Sequence, residues 1–200
     1  MDGAGFIGFL AASIVFIAIP GPNVALICSH SLAHGLRYGL LTVAGISAAM
    51  AVQLAIVVLG AGALLSVAGW FLWVRWLGVA YLLYLGIRSW MAAENMRDSE
   101  PPETLSRAAL LRGFFVSLTN VHTLLFFAAF LPQFVDPTRE ALPQLAILGT
   151  IFLVFGIVLD GVWAVIAARM RRTIAAHSKL RSRLTGMLLI IAAAALAISR

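Results

Sequence analysis

Two prolines around a glycine, followed by an asparagine, form the most unusual segment of the chain, Pro20-Gly21-Pro22-Asn23. The prolines remove two backbone donors and clash with the preceding turn, so a helix must break or kink here. Broken helices whose freed carbonyl groups line a cavity are a recurring way to build ion and substrate sites in membranes. The segment therefore predicts a binding site, and a kink with only a packing role is the alternative.

Asp160 is the single charged residue in an apolar stretch at 142–168. A carboxylate inside a bilayer costs about 2.5–3.5 kcal/mol, so it should face the protein interior or a wet cavity. There it could carry a proton or pair with the ammonium group of a solute. A carboxylate that is interfacial or structurally paired is the alternative.

Another apolar stretch contains Asn120 and His122, which are costly in a membrane without partners. His122 could titrate near neutral pH, and hydrogen bonding between helices is the alternative for both side chains. Gly45 and Tyr81 lie in two further stretches that also contain glycines, for which close helix packing is the default expectation.

Cys28, His30 and His34 have a spacing that could suit a metal ion. No nearby carboxylate completes the set, so polar residues at a helix end are the stronger interpretation and no metal is expected. The sequence has no glycine-rich phosphate loop with a lysine and no evident pairing of a nucleophile with a base. We therefore expect neither an enzyme nor a cofactor.

The composition explains why these polar residues matter. Hydrophobic residues make up 62% of the 200 residues and charged residues only 11%, whereas soluble domains have about 25% charged residues. Too few charges remain to cover a surface in water, so most of the chain must face lipid. The net charge of +6 does not indicate nucleic acid, because the basic residues lie between the apolar stretches.

Apolar stretches long enough to cross a bilayer predict an all-α integral membrane protein with one transmembrane domain over 1–200. The predicted spans are 6–28, 38–62, 70–91, 113–135, 142–168 and 184–199, and the cytoplasmic loops are 92–112 and 169–183. Six spans put eleven of the fourteen lysines and arginines on one side. The positive-inside rule then places both termini outside.

Counted from the cytoplasmic helix ends, Asn23, Gly45, Tyr81, Asn120 and Asp160 all lie roughly 12–15 Å inside the membrane at about 1.5 Å per residue. Their common depth predicts one intramembrane site. Two halves of three spans, each opening with an asparagine at this depth, also predict an inverted 3+3 repeat with a broken first helix.

Several motifs together resemble the LysE/RhtB family of amino-acid exporters over nearly the whole chain. They are Pro20-Gly21-Pro22-Asn23, Gly35-Leu36-Arg37-Tyr38-Gly39-Leu40 with Gly45, Gly78 with Tyr81 and Gly86, Leu131-Pro132-Gln133-Phe134, and Asp160 with Trp163. The family usually has Asn-Pro-Lys in its fourth span, where this chain has Asn120-Val121-His122. The proline of a second helix break and the lysine are both missing.

The resemblance implies export of amino acids or their derivatives across the bacterial inner membrane, driven by the proton motive force. Small solute, protons and the lipid bilayer are the expected partners, and a homodimer is permitted. The hypothesis assigns substrate binding to Pro20, Gly21, Pro22, Asn23, Gly45, Tyr81 and Asn120, and proton coupling to Asp160 and His122. An exporter of another small solute or of a metal ion, and a structural membrane subunit that transports nothing, are the alternatives.

Overall fold

The computed structural model describes residues 3–18, 21–60, 76, 79–80, 83–84, 86–87, 103–136, 138–173, 183–184, 186–191 and 194, and these residues contain no strand. Six α-helices have defined bounds. They are α1 (Gly3–Ala18), α2 (Pro22–His34), α3 (Leu36–Gly60), α4 (Glu103–Leu118), α5 (Val121–Phe130) and α6 (Ala141–Thr173). The prediction of an all-α protein holds for this part of the chain.

α1 and α2 form the predicted broken helix. Their axes, taken over Gly5–Ile17 and Pro22–His34, meet at 52°. Gly21 has an extended backbone and caps α2, and Pro22 occupies the first turn, where its missing N–H is not needed. α2 ends at Gly35, whose φ of 92° suits glycine and whose N–H donates to the Ser31 carbonyl oxygen.

Within the described part of the chain, two helices are each long and apolar enough to cross a membrane, Leu36–Val58 within α3 and Ala141–Arg171 within α6, and the bent pair α1–α2 adds a third candidate. α3 lies against both α4 and α6, and α2 lies against α6. This arrangement places α3 at the centre of the described helices.

α4 begins at Glu103, ten residues before the predicted start of the fourth span, and takes in the end of the predicted loop at 92–112. It ends at Leu118, and α5 begins at Val121. The fourth helix is therefore broken at Thr119 and Asn120, although the proline of a second helix break is missing there.

Two glycines let α3 and α4 approach at backbone distance. A Cβ at Gly45 would collide with the Leu110 carbonyl oxygen, and one at Gly113 would lie 2.5 Å from the Thr42 carbonyl oxygen. Such close approach requires residues without side chains on both helices. The default expectation of a packing role is met at Gly45.

Phenylalanines from α1, α5 and α6 form an aromatic cluster on one side of the two helix breaks. Phe126 is its centre, with ring centroids 3.9 Å from Phe16, 4.3 Å from Phe130 and 5.0 Å from Phe152. Phe9 and Phe134 extend it, with centroids 5.5 Å apart. This cluster fills the space between the half-helices α1 and α5.

Most residues of the predicted third and sixth spans lie outside the described part. Among their described residues, a Cβ built at Gly86 of the third predicted span would lie 2.8 Å from the Ile190 side chain of the sixth. These two predicted spans are therefore in contact. Val79 and Leu189 are also buried in one cluster with Ala25 and Leu26 of α2.

Candidate functional site

A side-chain hydrogen bond joins the two helix breaks. The Asn120 carboxamide nitrogen donates to the Asn23 carboxamide oxygen at 3.4 Å, and the Asn23 nitrogen donates to the Ser117 hydroxyl at 3.3 Å. Asn120 is 5% exposed, and Ser117 is fully buried. Sequence reasoning placed Asn120 opposite Asn23, and the structure brings the two into contact.

Gln53 of α3 donates to three backbone carbonyl oxygens at the second break. Its carboxamide nitrogen is 3.0 Å from the Ser117 carbonyl oxygen, 3.2 Å from that of Leu118 and 3.4 Å from that of Asn120. Carbonyl groups freed inside a membrane need such a partner. Gln53 therefore stabilises a break that has no proline.

Two helix N-termini meet at this junction, because α2 begins at Pro22 and α5 begins at Val121, next to Asn23 and Asn120. The unpaired N–H groups of a helix N-terminus carry a partial positive charge and attract carboxylates. The end of α4 contributes the opposite partial charge, which the Gln53 amide group partly offsets. We call Asn23, Gln53, Ser117 and Asn120 the junction.

Not all of the predicted binding residues can be placed. Pro20 and Tyr81 lie outside the described residues. His122 lies in the first turn of α5, but its side chain is outside the described part. Gly21 and Pro22 form the start of α2, and a Cβ built at Gly21 would have no atom of another described residue within 4 Å.

Asp160 is 4% exposed on α6 and forms no hydrogen bond or ion pair with any described residue. It lies close enough to the Cys28 thiol of α2 for an electrostatic interaction between the side chains. Around it α2 and α6 pack through an apolar cluster that includes Val24, Ala167 and Trp163. The prediction that Asp160 faces the protein interior is consistent with this burial.

The expected common depth of five site residues is wrong for Gly45. It packs on α4 between Leu110 and Phe114, whereas Gln53, eight residues later on α3, contacts Ser117 and Asn120. Eight residues of helix span about 12 Å. The count placed Gly45 eight residues past Arg37 and Asn120 eight residues past Arg112, but α4 begins at Glu103, so Asn120 lies farther along its helix than Gly45 does along α3.

Asp160 also lies away from the junction, at the level of Gly45. On α6, Asp160 lies between Gly156 and Ala164, and both of these residues contact α3. A Cβ built at Gly156 would lie 3.3 Å from the Met50 methyl group, and the Ala164 Cβ lies 3.1 Å from a Cβ built at Gly39. Asp160 is thus level with the part of α3 that precedes Gln53. The candidate site therefore has two levels. One is the junction, and the other is Asp160, which lies beside Cys28.

The polar residues near the end of α2 are engaged with the protein. The Thr42 hydroxyl donates to the Tyr38 carbonyl oxygen at 2.8 Å, so His30 Nδ1, 2.6 Å away, must donate to that hydroxyl. The His34 ring lies 5.4 Å from that of Tyr38. Among the described residues no group of three or more histidine, cysteine or acidic side chains could hold a metal ion.

Outside the helices, Asp136 organises the turn between α5 and α6. Its carboxylate accepts hydrogen bonds from the hydroxyl and the N–H of Thr138, at 2.6 and 3.0 Å, and these bonds lower the pKa of Asp136. Gln144 donates to the carbonyl oxygens of Asp136 and Glu140, and its own oxygen accepts from the Asp136 N–H at 2.9 Å.

A family model for the LysE type translocator matches residues 14–200. The chain belongs to the LysE family. A translocator moves solutes across a membrane and is not an enzyme, and the apolar helices of this LysE-family chain are those of a multi-pass membrane protein.

Relatives cover most of this LysE-family protein. A homoserine/homoserine lactone efflux protein of Salmonella typhimurium is 31% identical over 96% of this chain and 95% of its own length. A membrane protein of Vibrio cholerae is 34% identical over 87% of this chain and 86% of its own length. A leucine efflux protein of Klebsiella pneumoniae is 32% identical over 66% of this chain and 63% of its own length. No solved structure matches the chain.

Gln53 is the residue of the junction that sequence reasoning missed. It is the single amide side chain in the second predicted span, whose other polar side chains are the hydroxyl-bearing Tyr38, Thr42 and Ser47. A polar side chain in the middle of a span is a signal for a bonding partner on another helix.

Proposed function

We propose that this protein exports amino acids or amino-acid derivatives from the bacterial cytoplasm and that the junction binds them. The joining of two helix breaks by the Asn23–Asn120 hydrogen bond is the observation that supports this most directly. The relatives named for efflux of homoserine, its lactone and leucine support the class of solute.

The proposed binding mode follows from the electrostatics of the junction. A carboxylate of the solute would lie at the N-termini of α2 and α5, where partial positive charge is concentrated. The proposed binding residues remain Pro20, Gly21, Pro22, Asn23, Gly45, Tyr81 and Asn120. Gly45 would act through the approach of α3 to α4, because its Cα faces the backbone of α4.

Asp160 is proposed to carry the proton that is exchanged for the solute, together with His122. An ionised carboxylate at this depth costs about 2.5–3.5 kcal/mol, and protonation removes that cost. The ammonium group of a passing solute would remove it in another way, by pairing with the charge. Protonation of Asp160 and pairing of Asp160 with the ammonium group of a solute on its way to the junction would therefore exclude each other, which is the requirement for antiport.

The proposed topology has six spans in an inverted 3+3 repeat within the bacterial inner membrane, with both termini outside. In this orientation Asp160 lies on the cytoplasmic side of the junction. The aromatic cluster around Phe126 lies on the outer side. Opening of this cluster to the outside would alternate with access from the cytoplasm, and a homodimer is compatible with this scheme.

Proteoliposomes that contain the purified protein test this function. We expect uptake of labelled leucine or homoserine in exchange for the same amino acid, and acceleration by a pH gradient. Asp160→Asn should abolish the effect of the pH gradient and retain exchange, because an amide cannot carry the proton. The matched control is Asp136→Asn in the exposed turn, which should behave as the wild type. A wild-type protein that moves none of a panel of amino acids would refute the proposal.

A further inference from the structure

Gln53 has an orientation that its surroundings fix. The carboxamide nitrogen faces the carbonyl oxygens of Ser117, Leu118 and Asn120, at 3.0 to 3.4 Å. Carbonyl oxygens can only accept hydrogen bonds, so the nitrogen of Gln53, and not its oxygen, must face them. The carboxamide oxygen must therefore be turned away from these three carbonyl oxygens.

That oxygen is a buried acceptor to which no described residue donates. The Gln53 side chain as a whole is only 2% exposed. Buried polar atoms almost always have a partner, so one that lacks it at a candidate binding site calls for an explanation. A ligand that brings its own donor is such an explanation.

The two sides of the junction thus offer complementary chemistry. The N-termini of α2 and α5, next to Asn23 and Asn120, favour a negatively charged group. The Gln53 oxygen favours a donor, and a positively charged donor gives the stronger hydrogen bond. A zwitterion with an ammonium and a carboxylate group on one carbon matches both sides.

We propose that the carboxamide oxygen of Gln53 binds the amino group of the transported solute, while its nitrogen holds the break in the fourth helix. The proposal rests on the proposed function. Homoserine and homoserine lactone, the solutes in one relative's name, share a free amino group, whereas the lactone has no free carboxylate. Recognition of the amino group is therefore the contact that both kinds of solute can make.

Competition in proteoliposomes tests the contact. Exchange of labelled leucine or homoserine is measured against the unlabelled amino acid, its methyl ester and its N-acetyl derivative. The wild type should be inhibited by the first two and at least tenfold less by the third, which lacks the ammonium group. Gln53→Leu should reduce the preference for the free amino group by about tenfold, the effect of one hydrogen bond to a charged group.

Gln144→Leu is the matched control, because Gln144 also donates to two freed carbonyl groups, but in the outer turn and with its oxygen already bonded. It should keep the wild-type preference. Gln53→Glu, protonated because it is buried against carbonyl oxygens, keeps an O–H donor for them and an acceptor oxygen, and should also keep the preference for a free amino group. Gln53→Glu therefore tests the proposed contact with the amino group if Gln53→Leu does not fold.

A folded Gln53→Leu protein with the wild-type preference overturns the proposal, and so does a folded Gln53→Glu protein that has lost it. Either result leaves amino-acid export intact, because leucine or homoserine is still exchanged. A wild-type protein that exchanges neither amino acid refutes the proposed function itself, together with this contact.

Discussion

Asn120 donates a hydrogen bond to Asn23 from 97 positions away in the sequence, at 3.4 Å, and thereby ties the break in the first helix to the break in the fourth. Neither helix passes through the junction as a regular helix. A change in the separation of α2 and α5 would stretch this bond first. The bond is therefore a direct reporter of the state of the junction.

A double-mutant cycle measures the bond. Asn23→Ala and Asn120→Ala should each lower the free energy of unfolding in micelles, and together they should cost less than the sum. The expected coupling is about 0.6–1.7 kcal/mol, the range for hydrogen bonds between membrane helices.

Asn23→Ala combined with Ser47→Ala is the control, because the Ser47 hydroxyl donates only to the Val43 carbonyl oxygen of its own helix. These two changes should add. A coupling between Asn23 and Asn120 no larger than in this control would contradict the role of the bond.

Replacement of Gly45 and of Gly161 by alanine should change the stability of the protein in opposite directions. A Cβ at Gly45 would collide with the backbone of α4, whereas no atom of the described residues lies within 4 Å of one at Gly161 of α6. Gly45→Ala should therefore destabilise the protein by about 1–3 kcal/mol through overpacking.

Gly161→Ala should be neutral or stabilise by up to about 1 kcal/mol, since alanine favours a helix over glycine. Thermal unfolding of both variants in the same detergent checks the signs. Equal effects at the two positions would show that α3 and α4 are not in backbone contact at Gly45.

The sequence was sufficient for the first break and insufficient for the second, and the reason is physical. Pro22 and its neighbours break a helix by their own covalent structure, so Pro20-Gly21-Pro22-Asn23 predicts a break locally. The break at Thr119 and Asn120 contains no proline, and its carbonyl oxygens accept hydrogen bonds from Gln53, which is 64 residues from Ser117 in the sequence. Such a contact becomes visible only when the two helices are placed side by side.

The depth of the site residues in the membrane also could be predicted only in part from the sequence. Asn23 and Asn120 meet as the count along the helices predicted, but Gly45 and Asp160 lie on another level. The count took Arg112 as the start of a span, whereas α4 begins at Glu103. Charge patterns locate the end of an apolar stretch, and a helix can continue past it.

The aromatic cluster gives a prediction about closure of the outer side. Phe126 stacks between Phe16 and Phe130, with ring centroids at 3.9 and 4.3 Å, and it also contacts Phe152. Phe126→Ala would remove the central ring and leave a gap between α1, α5 and α6. We expect this variant to let labelled leucine or homoserine leak out of proteoliposomes in the absence of a pH gradient.

Phe115→Ala is the matched control, because Phe115 of α4 is 56% exposed on the outside of the described helices. It loses an equal volume without opening the cluster and should leak no more than the wild type. A third variant, Phe126→Leu, keeps an apolar side chain at the centre and should leak less than Phe126→Ala. Equal leak from Phe126→Ala and Phe115→Ala would show that the cluster does not close the path, because loss of its central ring would then have no effect of its own.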